Sequence, residues 1–181
     1  MKLFDDYIEG CIKEWVRIYE IINYGNLKDK INLNIGCGET TYPDSINMDM
    51  RKTSITDEIY NFELFPWPFK DERFDSVFAF DIIEHLSDVF KTVDEIHRIL
   101  KPEGNLIIRT NHCETKQSFI DPSHIHFFHL DSFSFYDEST PWGKKYHWYT
   151  DKKFKIMNKT KSGEELIFVL KKSVKEFKFD E

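Results

Sequence analysis

The segment from Phe74 to Thr110 constrains the fold of this chain more than any other. Phe74-Asp75-Ser76-Val77-Phe78-Ala79-Phe80-Asp81 is apolar almost throughout, the pattern of a central strand buried on both faces, and it ends in an acid. Over residues 86–100, Leu86, Val89, Phe90, Val93, Ile96 and Leu100 recur at helical spacing. Ser87 or Asp88 can cap the start of that helix, and Lys101-Pro102-Glu103-Gly104 ends it. Asn105-Leu106-Ile107-Ile108-Arg109-Thr110 then reads as a second central strand. A strand, a helix and a strand at this spacing form a βαβ unit, so the two strands are expected to be parallel with a right-handed crossover.

Upstream, Leu33-Asn34-Ile35 runs into Gly36-Cys37-Gly38, a short strand followed by a Gly-x-Gly turn. Neither glycine carries a Cβ, so the backbone can turn sharply there and pass close to a ligand. Ile46-Asn47-Met48-Asp49 is a second strand candidate that also ends in an acid. Ligands of open α/β sheets bind outside the carboxyl ends of the strands, where an acid such as Asp49 can accept hydrogen bonds from a ribose diol. Only residues 39–45 separate these strands, and Pro43 lies among them. That is too short for a normal crossover helix, so a loop or a very short helix is expected.

Elsewhere the pattern is more local. Residues 3–22 have the periodicity of an amphipathic helix stopped at Gly25, suited to lie on the sheet or cap the cleft. Residues 57–62 read as a third strand, and Pro66 and Pro68 make 64–69 irregular. Residues 111–150 are rich in aromatics and histidine, with a short helix expected near Leu130–Phe135. Lys153–Asn158 and Glu164–Lys171 flank Thr160-Lys161-Ser162-Gly163 as a hairpin.

Composition removes several function classes. A net charge of −7 over 181 residues disfavours a nucleic-acid backbone as the main partner. The sequence contains no apolar run long enough to span a membrane. Three well-separated cysteines suit a reducing compartment, so a cytoplasmic location is expected. The dinucleotide-binding reading fails on detail. It requires a third glycine where Thr41 stands, and an acid about 20 residues on, whereas Asp49 lies 11 past Gly38.

Four motifs in order carry a resemblance: Leu33-Asn34-Ile35-Gly36-Cys37-Gly38; Ile46-Asn47-Met48-Asp49; Phe74-Asp75-Ser76-Val77 running to Glu84-His85-Leu86; and Arg98-Ile99-Leu100-Lys101-Pro102-Glu103-Gly104-Asn105-Leu106. Together they resemble the class I S-adenosylmethionine-dependent methyltransferases, in particular the type 11-like branch. The likeness implies an α/β, Rossmann-like class I methyltransferase fold, a mostly parallel seven-stranded sheet with an antiparallel C-terminal hairpin. One domain would span 1–181, with an N-terminal helix over 1–28, a cofactor-binding half over 31–110, a substrate-cover region over 111–150 and the hairpin over 151–172. It implies S-adenosylmethionine as cofactor and S-adenosylhomocysteine as product. The methionine part would lie over Gly36, Cys37 and Gly38, the ribose on Asp49 with Met50 adjacent, the adenine beside Asn61 and Phe62, and the methionine end beside Asp81 and Ile82. The family often has aspartate where Asn61 stands, and an asparagine carbonyl can still accept from the adenine amino group.

Methyl transfer to a hydroxyl is helped by a base, and histidine suits neutral pH. Asp121-Pro122-Ser123-His124 looks like the Asp-Pro-Ser/Thr-His motif of some type 11 members. His124, then His126, with Asp121, are therefore the candidates for substrate contact or catalysis; a purely structural role, pinning the loop, is the other reading. His85 could approach the cofactor, cap the helix or pack. The spacing of His112, Cys113, His124, His126, His129 and His147 matches no zinc pattern, so no metal ligands are assigned. The expected acceptor is a small molecule such as a sugar or metabolite hydroxyl, and a homodimer or a partner subunit could complete the pocket. A non-catalytic cofactor-binding partner subunit and a zinc-stabilised binding domain are the alternatives.

Overall fold

Val77 and Ala79 point to one side of their strand, Phe78 and Phe80 to the other, and all four are buried. The same split recurs with Leu106 and Ile108 against Ile107, and with Leu166, Phe168 and Leu170 against Ile167 and Val169. Such strands must lie inside a sheet covered on both faces. The computed structural model describes residues 30–174 apart from Pro43. The helix expected over 3–22 therefore lies outside the described residues.

Seven strands form one sheet: β1 (Asn32–Ile35), β2 (Ser45–Asp49), β3 (Glu58–Ile59), β4 (Phe74–Phe80), β5 (Leu100–Asn111), β6 (Phe154–Ser162) and β7 (Glu165–Lys172). Their order is β3-β2-β1-β4-β5-β7-β6. The pairs β2–β3, β1–β2, β1–β4 and β4–β5 are parallel, and β7 is antiparallel to both β5 and β6. Sheet order reverses direction between β1 and β4. The carboxyl ends of these two strands therefore open the crevice where such sheets bind ligands.

Helix α1 (Val89–Ile99) connects β4 to β5 and buries Val93, Ile96 and Ile99 in the larger core. Asp88 caps it by accepting from the Lys91 amide at 2.9 Å. Glu95 fastens the irregular 62–69 segment to this helix. Buried among aromatics, its carboxylate accepts from the Trp67 amide at 2.6 Å and from the Arg98 guanidinium, which also donates to the Phe69 carbonyl. Two further short helices, α2 (Gln117–Ile120) and α3 (Pro141–Lys145), lie in the 111–150 region.

Three local expectations are corrected. The third strand is two residues long, because Asn61 and the residues after it turn away at once; Asn61 accepts from the Glu63 amide and its carbonyl from the Leu64 amide. The short helix expected at Leu130–Phe135 is instead a 3-10 turn over Ser134–Tyr136. The hairpin turn is Gly163-Glu164, where Gly163 has a φ of 62°, which only glycine adopts cheaply. The loop expected between the first two strands is present, with no helix from Gly36 to Asp44 among the described residues.

His97, on α1, meets the Phe154 ring edge-on at 5.2 Å. Burial, reinforced by Lys172 and Lys152, lowers its pKa to about 4. Between the unfolded value near 6.5 and the folded value, the unfolded chain binds more protons, so acidification through that window destabilises the fold. The stability lost from pH 6.5 to 4 should be up to about 3 kcal/mol, reduced by the ring's partial solvent access. In His97→Phe, urea melts across that range should show a smaller loss; a loss equal to wild type contradicts the assignment.

Candidate active site

The turn after β1 is built around two glycines with different reasons for being glycine. Gly36 has a φ of 64°, and a Cβ there would stand 2.6 Å from Cγ1 of Ile82. The loop after β4 thus packs directly on the glycine turn. Gly38 has a φ of 53°, and a Cβ there would meet nothing within 4 Å. Open space beside an exposed backbone turn is what a bound ligand needs. Cys37 between them is buried; its amide donates to the Met48 carbonyl, and burial raises its thiol pKa, so it packs rather than reacts.

Asp49 ends β2 facing this turn. One carboxylate oxygen accepts from the Gly38 amide at 2.8 Å and the other from the Arg51 amide at 2.9 Å. Each oxygen retains a lone pair, so the group can hold the loop and still accept from a diol. Met50 beside it is exposed, as is Asn61 beyond β3. Phe62 stands differently: its ring is 2% exposed and packs against Trp67, whose indole N–H donates to the Phe62 carbonyl. Only its backbone is left to face a ligand.

At the end of β4, Asp81 takes a left-handed φ of 52° and pairs with Arg109 of β5. No local sequence pattern marks Arg109 as that partner. Ile83–His85 form a single 3-10 turn, and the Glu84 carbonyl accepts from the amides of both Ile125 and His126. The 121–126 loop is thereby tied to the end of β4, 40 residues away.

This tie arranges the expected histidines. Asp121 is exposed and accepts from the Ser123 amide and hydroxyl, bonds that lower its pKa. The Ser123 oxygen lies 3.0 Å from Nδ1 of His85. With the hydroxyl proton directed at Asp121, His85 Nδ1 must carry the proton in the bond to Ser123, which leaves a lone pair on Nε2. Asp121 therefore acts through Ser123 on His85. His124 Nδ1 lies 3.1 Å from the Ser118 carbonyl, which can only accept, so its Nε2 also presents a lone pair. The two imidazoles meet edge-to-face at 4.6 Å.

Glu84 lies against them, 2% exposed, with both carboxylate oxygens lacking a hydrogen-bond partner. The Thr110 hydroxyl faces it without reaching hydrogen-bond geometry. Burial raises the Glu84 pKa to about 7. The sequence marks Glu84 only as part of a motif; its burial depends on contacts with 110 and 124–126 that no local pattern encodes.

Two clefts flank the cluster. A polar one of about 380 Å³ is lined by Asp81, Asn111, Gln117, Asp121 and His124. An apolar one of about 540 Å³ is lined by Phe90, His126, Phe128, Phe133, Phe135 and Tyr149. His126 belongs to the second, its Nε2 lying 3.3 Å from the Ser87 carbonyl. The structure thus joins His124 and Asp121 to one group and sets His126 apart. The His112 and His129 rings lie 5.5 Å apart and tilted, but neither they nor Cys113 nor His147 joins a three-ligand cluster among the described residues.

Residues 45–108 match a family model described as a methyltransferase domain, type 11. That match and the fold together support reading the chain as a SAM-dependent methyltransferase. Solved structures share the fold of this chain at low identity. A SAM-dependent methyltransferase from Archaeoglobus fulgidus is 17% identical with a TM-score of 0.59, covering 94% of this chain and 98% of that one. One from Aquifex aeolicus is 14% identical with a TM-score of 0.58, covering 90% and 88%. A chain from the complex between the Haloferax volcanii Trm112 methyltransferase activator and a methyltransferase is 12% identical with a TM-score of 0.60, covering 90% of each. A search of curated protein sequences gave no match.

The family match and the fold together imply S-adenosylmethionine as the cofactor. The residues present suit it: an open glycine turn at Gly38 and a buried acid with free lone pairs at Asp49. No helix among the described residues is long and apolar enough to cross a membrane.

Proposed function

We propose that the methyltransferase acts on a hydroxyl of a small molecule held between the 81–86 turn and the 121–136 segment. The observation that carries this reading is the convergence of His85 and His124, each with Nε2 unengaged, on the end of β4 beside Ile82 and the glycine turn. Gly36, Cys37, Gly38, Asp49 and the loop at Asn61 bind the cofactor, with Asp81 and Ile82 at its methionine end. When bound, the cofactor supplies a methyl group already activated on a sulfonium, so the protein's part is alignment and exclusion of water. His124 receives or orients the acceptor hydroxyl, and Asp121 and Ser123 hold His85 beside it. The aromatic cleft takes the apolar body of the acceptor.

The test is transfer of a labelled methyl group to a pool of small-molecule hydroxyl acceptors by wild type and His124→Ala. Loss of a positioned acid–base group should lower the rate by about 100-fold or more, with affinity for S-adenosylhomocysteine unchanged. An unaffected rate contradicts the role of His124. A partner subunit belongs to the same reading, since one structural neighbour comes from a complex with an activator. Here Phe119 and Phe127 stack on the surface while 64% and 48% exposed, a face suited to a second subunit. Light scattering of the active species decides this.

A further inference from the structure

We propose that Glu84, His85 and His124 bind one divalent first-row transition-metal cation. One ligand atom from each residue can be chosen so that all three lie within 4.8 Å of one another, near enough for small side-chain adjustments to bring them onto one ion. The donor set is two imidazoles and one carboxylate, which suits zinc, manganese, iron or cobalt and leaves coordination positions open for ligand oxygens.

Two independent features favour an ion over chance proximity. Glu84 is almost fully buried yet neither carboxylate oxygen has a hydrogen-bond partner, a costly arrangement that a cation would relieve. Each histidine is fixed through Nδ1 by a second residue, His85 by Ser123 and His124 by the Ser118 carbonyl. Outer hydrogen bonds of that kind set the tautomer and aim the Nε2 lone pair, as they do for metal-ligating histidines.

The cation site stands on these side chains alone; only its use rests on the proposed methyltransferase reaction. In that use, the open positions take an acceptor carrying neighbouring oxygens, such as a diol or a hydroxy acid. The metal then polarises the hydroxyl to be methylated, and His124 orients it through the metal instead of receiving its proton.

Titration of tag-free protein with Co²⁺ and, separately, Zn²⁺ tests the site without any acceptor. One ion per chain should bind, and the visible Co²⁺ spectrum should change from that of the aqueous ion to that of a nitrogen–oxygen site. Glu84→Gln, His85→Ala and His124→Ala should each weaken binding by at least about tenfold, because even outer-sphere changes cost 10- to 100-fold. His147→Ala, an exposed histidine outside the cluster, should bind as wild type does. Glu84→Gln preserves shape, and its retained affinity for S-adenosylhomocysteine shows that it is folded. No saturable uptake by wild type, an unchanged aqueous Co²⁺ spectrum, or full affinity in Glu84→Gln overturns the site. Cofactor binding is read separately, so loss of either result leaves the other standing.

Discussion

Gly36→Ala should destabilise the protein by about 2–5 kcal/mol. The estimate joins about 1–2 kcal/mol for a left-handed backbone with a Cβ to about 1–3 kcal/mol for overpacking. For a chain of this size that corresponds to a fall in Tm of about 5–15 °C. The cause is local and testable, because the new methyl would stand 2.6 Å from the Ile82 side chain, well inside contact distance. Gly38→Ala meets no such neighbour and should show only the backbone part. In an Ile82→Ala background, the Gly36 substitution should likewise lose its packing component, so the double variant is more stable than the sum of the two single changes predicts. Equal costs at Gly36 and Gly38, or strict additivity with Ile82→Ala, would contradict the account.

Asp49→Ala should weaken S-adenosylhomocysteine binding by at least about 100-fold, the equivalent of roughly 3 kcal/mol. Two effects combine. The ribose diol loses a charged acceptor, each such bond contributing about 1.5–3 kcal/mol. The Gly38 amide also loses its carboxylate partner at 2.8 Å, so the turn that would pass beneath the methionine end is no longer fixed. Asp49→Asn keeps one acceptor oxygen and should fall between wild type and alanine. A full-affinity Asp49→Ala variant would place the nucleoside elsewhere.

The roles of these two residues also show how far the sequence could be read. Strands β1, β2, β4 and β5 and helix α1 were legible because their burial follows simple periods, alternation for the strands and three- to fourfold spacing for the helix. The family motifs implied a mostly parallel seven-stranded sheet with an antiparallel C-terminal hairpin, though not the order of its strands. The reason for Gly36 was not legible. Its missing Cβ makes room for Ile82, 46 residues later, rather than for a ligand, and no local pattern records that contact. The same holds for Phe62, which sits beside the expected adenine position but turns its ring into the core against Trp67.

The catalytic side shows a sharper limit. His124 and Asp121 could be picked out by residue type, because a histidine loop after the fifth strand is where acid–base chemistry is expected. Their connection to His85 could not, since it runs through Ser123 across 38 positions. Nor could Glu84, whose chemistry comes entirely from burial. A glutamate in an apolar setting reads as a motif letter until the surrounding chain removes its solvent and its partners.

Calorimetric titration of the purified protein with S-adenosylhomocysteine, wild type beside Asp49→Ala, tests the central claim most directly. Saturable one-to-one binding in the micromolar range, lost in Asp49→Ala, is the predicted result. No binding at millimolar ligand, or equal binding by both proteins, would contradict a nucleoside site at the ends of β1 and β2.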